Sequence, residues 1–241
     1  MFQFQLDNQF FLFAQTPTNA EKFSFFTPHF WQQQGRVTGS AQGRGTTYFL
    51  QSADLFGVNC ALRHYYRGGL WGKLNRDLYW FKDLESTRSF AEFKLLHRLR
   101  EAGLPVPQPI GARVQKCGAF YRADLLSERI ENAQDLTALL QQNQLTEQEW
   151  QQIGALIRRL HDLQICHTDL NAHNILCQQQ EQGERKFWLI DFDKCGEKSG
   201  SFWKQDNLQR LKRSFLKEVE RMKIQFEEKN WQSLVAGYER G

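Results

Sequence analysis

Phe2, Phe4 and Leu6 alternate with Gln3 and Gln5, and an apolar run resumes at Phe10-Phe11-Leu12-Phe13 after Asp7-Asn8. A period of two broken by a turn pair predicts a strand, a turn and a second strand. The aromatic stretch from Phe23 to Trp31 is read as an outer cover over the core. Val37 to Leu50 carries β-formers on both sides of a glycine cluster, and Val58 to Tyr66 continues as a strand. Leu95, Leu96, Leu99 and Ala102 then recur at helical spacing. Ser89 and Glu92 precede them in capping-box spacing, and Gly103 with Pro105 ends the run. Gly111–Val114 and Ala119–Leu126 give two more strands. Helical patterns follow at 135–140 and after Thr146, whose spacing from Glu149 is again that of a capping box. Trp150, Ile153, Ile157 and Leu160 share a face of that helix. Leu208, Leu211, Phe215, Val219, Met222 and Phe226 predict one last helix. Strands first and helices afterwards make the chain α+β.

Composition narrows this little. The chain has 241 residues, 41% of them hydrophobic, and a net charge of +4. With a mean hydropathy of −0.61 it suits a soluble globular protein with a mild preference for anions. Five cysteines in no C-x-x-C pair suggest free thiols in a reducing compartment, with Cys166 a small core residue and not a nucleophile. The first residues lack the basic and apolar regions of a signal peptide, and no apolar run approaches the roughly 20 residues of a membrane span. Any membrane contact is therefore expected to be peripheral. No internal repeat is visible.

The chemistry concentrates in His167-Thr168-Asp169-Leu170-Asn171-Ala172-His173-Asn174, followed by an apolar strand, a polar hairpin and Ile190-Asp191-Phe192-Asp193. An H-x-D-L-x-x-x-N loop returning to D-F-x is how kinase-like phosphotransferases hold a base and a metal together. In that pattern Asp169 meets the acceptor hydroxyl, while Asn174 and Asp191 hold Mg²⁺ against the phosphates of ATP. Asp193 replaces the usual glycine; aspartate tolerates positive φ, so the turn remains possible there.

Three earlier features fall in kinase order, and two basic stretches lie outside it. Gly43, Arg44 and Gly45 sit in a glycine hairpin that is either a plain turn or a phosphate cradle. Arg63 stands where kinases carry a strand lysine, and it is either a phosphate ligand or a solvent-facing arginine; Lys73 is the fallback. Glu92 is either half of a capping box or the ion-pair partner of Arg63. The basic, aromatic insert at 67–76 reads as a hinge under a lid or as an anion-binding surface. Arg210, Lys212, Arg213, Lys217 and Lys223 on the last helix form a solvated face or a dock for anionic lipid.

The expected architecture is a two-lobed protein-kinase-like fold. Residues 1–128 form a nucleotide-binding lobe, an antiparallel sheet with one helix, and 129–241 a mainly helical catalytic lobe. No A-P-E sequence and little chain between Asp193 and the last helix leave no activation segment, which favours a small or lipid-linked acceptor over a protein.

The strings G-R-G-T-T at 43–47, L-R-H-Y-Y-R-G-G at 62–69, R-S-F-A-E-F at 88–93 and G-L-P-V-P-Q-P at 103–109 resemble the lipopolysaccharide kinase family, as do those at 167–176, 190–194 and 207–214. The resemblance covers nearly the whole chain. It implies ATP as donor and phosphorylation at position 4 of a 3-deoxy-D-manno-octulosonic acid (Kdo) residue on Kdo–lipid IVA, a lipid A precursor. It also implies a peripheral place on the cytoplasmic side of the inner membrane, with Asp169 as the active-site aspartate. No nucleic acid or obligate protein partner is expected. The rival readings are an aminoglycoside- or choline-type phosphotransferase, and a non-catalytic lipid-binding module.

Overall fold

The computed structural model describes residues 1–17, 19–43, 45–67, 77–180 and 183–241. The chain divides into two compact units, Met1–Arg98 with Pro107–Arg129, and Leu99–Val106 with Ile130–Gly241.

The first unit is built on an antiparallel sheet. Its strands are β1 (Phe2–Leu6), β2 (Gln9–Phe13), β3 (Val37–Gln42), β4 (Thr46–Leu50), β5 (Cys60–His64), β6 (Tyr79–Trp80), β7 (Pro109–Cys117) and β8 (Phe120–Glu128). They lie in the order β1-β2-β7-β8-β5-β4-β3, with β6 also on β8. Helices α1 (Pro28–Gln33), α2 (Ala53–Phe56) and α3 (Arg88–Glu101) interrupt them. Asp7 turns the β1–β2 hairpin at φ 50°, and Gly103 terminates the α3 region at φ 75°.

The aromatic stretch expected as a cover is instead the core. Phe25, Phe26 and Trp31 are fully buried among Phe11, Phe13 and Leu62. Five aromatics within nine residues bury too much apolar area to remain outside. The indole Nε1 of Trp31 donates to the Phe25 carbonyl at 2.8 Å, so its burial leaves no unmade hydrogen bond.

A second, polar knot lies under β5. The buried Asp124 carboxylate is met by Nδ1 of His64 at 2.7 Å and by Nε of Arg113 at 2.9 Å. Asp77 receives Nε of Arg122 at 2.7 Å and faces Nε2 of His64 at 3.3 Å. Burial opposes the imidazolium of His64, but the carboxylates of Asp124 and then Asp77 outweigh it and raise its pKa.

The second unit carries β9 (Ala133–Asp135), α4 (Leu136–Gln142), α5 (Glu147–Asp162), β10 (Ile165–Cys166), β11 (Ile175–Gln179), β12 (Arg185–Leu189), β13 (Gly196–Glu197), α6 (Phe202–Met222) and α7 (Glu228–Arg240). The capping box at Thr146 is present, its hydroxyl accepting from Glu149 N–H at 3.3 Å and Glu149 returning to Thr146 N–H at 2.7 Å. The single last helix expected from the apolar stripe is two. Lys223 at φ 57° breaks it after Met222, and Phe226 lies in the connection, stacked on Phe215 with ring centroids 4.6 Å apart. Helix α7 is opened by Glu227 and Asn230, a residue pair that does not announce a helix start in sequence.

Helix α7 lies against α5 through two glycines. A Cβ on Gly154 would stand 1.9 Å from the Leu234 carbonyl oxygen, and one on Gly237 would stand 2.0 Å from that of Gln151. Both obstacles are backbone, so no rotamer change relieves them. Gly237→Ala is therefore expected to force the helices apart and destabilise the protein by about 1–3 kcal/mol or more. Urea unfolding that shows no loss would contradict this packing.

Candidate active site

The loop after β10 is shaped by its own amides. Asn171 precedes a short 3₁₀ turn, Ala172–Asn174, and its Oδ1 accepts from the N–H groups of His173 and Asn174 at 2.9 and 3.1 Å. Its Nδ2 donates to the Asp169 carbonyl at 2.9 Å, and so does Nδ2 of Asn174, also at 2.9 Å. Two amides on one carbonyl fix the backbone from which the Asp169 carboxylate projects.

The β11–β12 hairpin returns the chain to this loop. Ile175 pairs with Leu189, which brings Ile190 beside Asn174, and the Ile190 N–H donates to the Asn174 carbonyl at 3.1 Å. On its other side, the Ile190 carbonyl faces Nε2 of His167 at 3.0 Å. A carbonyl only accepts, so His167 carries its proton on Nε2 and accepts the Asp169 N–H through Nδ1 at 3.3 Å. The Ile190 peptide is thus held from both sides, and Asp191 follows it directly. Asp169, Asn174 and Asp191 are brought into one hydrogen-bonded neighbourhood.

The positive φ expected at Asp193 lies elsewhere, at Asp191 (62°) and Lys194 (63°). Asp191 has to turn back after the clip on Ile190, which moves the strained residue two positions earlier. Phe192 is fully buried against the His167 ring. The Asp193 carbonyl accepts from the Thr168 hydroxyl at 3.3 Å. Only residues 194–201 separate Asp193 from α6, and β13 within them pairs with β10.

In the first unit, Arg63 on β5 points its Nη2 at Oε2 of Glu92 on α3, 2.6 Å away. The Tyr65 hydroxyl donates to the same oxygen at 2.6 Å. The alternatives for Glu92 are thereby separated: it is buried in the ion pair with Arg63. Ser89 lies inside α3 and donates to the Arg113 carbonyl at 2.9 Å. Arg63 stands opposite Thr47 on β4, two residues beyond the glycine hairpin. The Gly43 N–H donates to the Gly45 carbonyl at 2.9 Å, and a Cβ on Gly45 would meet the Tyr66 ring at 2.0 Å. Arg44, Lys73 and most of the basic insert lie outside the described residues.

A sequence model of the family described as "Lipopolysaccharide kinase (Kdo/WaaP) family" matches residues 28–238. The chain belongs to that family. The 3-deoxy-D-manno-octulosonic acid kinase of Mannheimia succiniciproducens is 69% identical over 241 residues, covering 99% of this chain and 100% of that protein. A Haemophilus influenzae protein of the same name is 69% identical over 240 residues, 99% of each chain. One from Vibrio vulnificus is 52% identical over 221 residues, 92% of this chain and 91% of its own. The solved structure "WaaP in complex with acyl carrier protein" aligns with a TM-score of 0.60 over 96% of this chain and 89% of its own. At 13% identity that likeness is one of fold, the kinase-like one.

In this lipopolysaccharide kinase family member, α6 supports the loop in a way the sequence did not disclose. Asn207, Arg210, Leu211 and Ser214 share one stripe of the helix. Asn207 Nδ2 donates to the His167 carbonyl at 2.8 Å, and Ser214 Oγ accepts from the Ala172 N–H at 3.1 Å. Between them Arg210 Nη2 reaches Oδ1 of Asp169 at 2.6 Å. Arg210 was read with the other cations of this helix as part of a solvated face or a lipid dock; its exposed side chain also pairs with the aspartate. Lys212 pairs with Glu228 at 2.8 Å. Basic residues scattered along a helix carry no sequence mark of which one faces an acid 41 positions away.

Behind Asn207 the chain of bonds continues. Its Oδ1 faces Nε2 of the fully buried His161 at 3.1 Å, and Nδ1 of His161 meets the Tyr238 hydroxyl at 2.9 Å. Burial pushes His161 down from 6.5 to about 4, and burial likewise lowers His167. Both rings are neutral in the fold. The unfolded chain takes up these protons near pH 6.5, so stability is complete above that value and is lost as pH falls toward 4. From His161 alone the loss at pH 4 is about 3 kcal/mol. Urea unfolding from pH 7 to 4.5 is expected to fall more steeply for wild type than for His161→Gln, and parallel curves would refute the assignment.

Proposed function

We propose that this protein transfers the γ-phosphoryl group of ATP to the 4-hydroxyl of a Kdo residue on Kdo–lipid IVA, a step of lipopolysaccharide core synthesis. The clip that holds Asp169, Asn174 and the residue before Asp191 together carries this reading, with the name shared by relatives 52–69% identical over nearly the whole chain in support. We place the nucleotide-binding lobe at 1–128 and the catalytic lobe at 129–241.

Asp169 projects a half-exposed carboxylate from a fixed backbone, suited to accept or orient the proton of the attacking hydroxyl. The hydroxyl oxygen bonds to the γ-phosphorus, the bond from phosphorus to the β–γ bridging oxygen breaks, and ADP leaves. Arg63 is steered by Glu92 and Tyr65 to present a guanidinium to phosphate oxygens, with the hairpin amides at Gly43, Arg44 and Gly45 as further donors.

The donor set fits Mg²⁺. No group of three or more His, Cys, Asp or Glu suited to a metal lies among the described residues. One amide and one carboxylate, Asn174 and Asp191, suit an ion that keeps water and phosphate in its shell. The Asn174 Nδ2 is turned to the Asp169 carbonyl, leaving Oδ1 for the ion. Bound there, Mg²⁺ would neutralise phosphate charge.

None of the helices among the described residues is long and apolar enough to cross a membrane. Because the proposed acceptor is an anionic glycolipid, we place the protein peripherally on the cytoplasmic side of the inner membrane.

Mass spectrometry of Kdo–lipid IVA after incubation with the protein and MgATP is expected to show one added phosphate, and an unmodified acceptor would refute the reading. Asp169→Asn is expected to lower kcat roughly 10²–10⁴-fold. Arg63→Ala is expected to raise the KM for ATP as well as slow transfer, and unchanged kinetics would remove it from the phosphate site.

A further inference from the structure

We infer that Arg210 binds the carboxylate of the acid-sugar acceptor, so that the site itself selects for an anionic substrate. The inference rests on the proposed function and deepens it. Asp169 is the group that must lie against the acceptor's hydroxyl, and Arg210 Nη2 is 2.6 Å from its Oδ1. A sugar ring whose hydroxyl approaches Asp169 comes within reach of the same guanidinium.

An octulosonic acid brings its own negative charge, which the Asp169 carboxylate repels. Entry of such an acceptor requires a cation beside the aspartate, and Arg210 is the residue whose side chain the structure pairs with it. The guanidinium has five N–H donors in a planar fork, and the bond to Asp169 engages one terminal nitrogen. The remaining edge suits a second carboxylate, in a geometry that lysine does not reproduce.

Accessibility and rigidity agree. The side chains of Arg210 and Asp169 are 48% and 44% exposed, so a ligand can reach both. An ion pair this open adds little to stability, and the fold does not need the arginine. Its backbone is nevertheless fixed one helical turn from Asn207 and one from Ser214, both bonded to the catalytic loop. Leu211 beside it is fully buried. A cation mounted so firmly over an open carboxylate is preorganised for a ligand.

The test compares a Kdo glycoside as free acid and as C1-carboxamide, in steady-state kinetics with MgATP and the full chain. Wild type is expected to prefer the acid by about 10- to 100-fold in kcat/KM, mostly through KM, as one charge-assisted contact provides. In Arg210→Ala the preference should collapse to near one, and Arg210→Lys should recover part of it. Should the alanine variant not fold, Arg210→Gln is read in the same way. Equal losses in kcat with both acceptors, leaving their ratio unaltered, would overturn the inference while the proposed function stands. Transfer by wild type to neither glycoside nor to Kdo–lipid IVA would overturn both, and transfer to the lipid alone moves the same acid-against-carboxamide comparison onto the lipid acceptor.

Discussion

A neutral imidazole with no access to water is the joint on which the second unit turns. His167 donates from one ring nitrogen to the Ile190 carbonyl, accepts the Asp169 amide on the other, and offers its own carbonyl to Asn207. Three segments distant in sequence, the loop, the returning strand and helix α6, meet on one residue. The two ring bonds are made together only while the ring is uncharged with its proton on Nε2. A protonated ring would present a second N–H to the Asp169 amide, and that bond would be lost. Burial therefore sets the electronic state that the geometry requires.

Outward from that joint the support is layered. Tyr238, His161 and Asn207 form a line of hydrogen bonds from α7 through α5 to α6, ending on the His167 carbonyl. Helix α7, which holds no residue of the loop, matters because it caps this line. Its approach to α5 depends on glycines where any side chain would strike backbone. The site residues are few, and α5, α6 and α7 all contribute to holding them.

What could be read in advance follows a physical division. The strands, the Thr146 box and the H-x-D-L-x-x-x-N loop rest on spacing within an element or on one ordered set of motifs, and these appear in the structure. Open or wrong readings arose where a tertiary partner decides the outcome. Glu92 was left between a capping box and Arg63, and burial gave it to Arg63 and Tyr65. Phe25, Phe26 and Trp31 have no periodicity that marks inside from outside. Lys223 breaks the last helix with neither glycine nor proline to signal it. Arg210 is one of several cations on α6, distinguished only by the acid it faces.

The arginine at position 63 has a chemical corollary. Guanidinium stays protonated across the whole range in which a protein remains folded, and it is a poor nucleophile toward acyl reagents. Covalent probes that mark kinases by acylating the amine on this strand find no amine here. The guanidinium that β5 presents in place of an amine is consequently shielded from acetylation and from alkaline discharge alike.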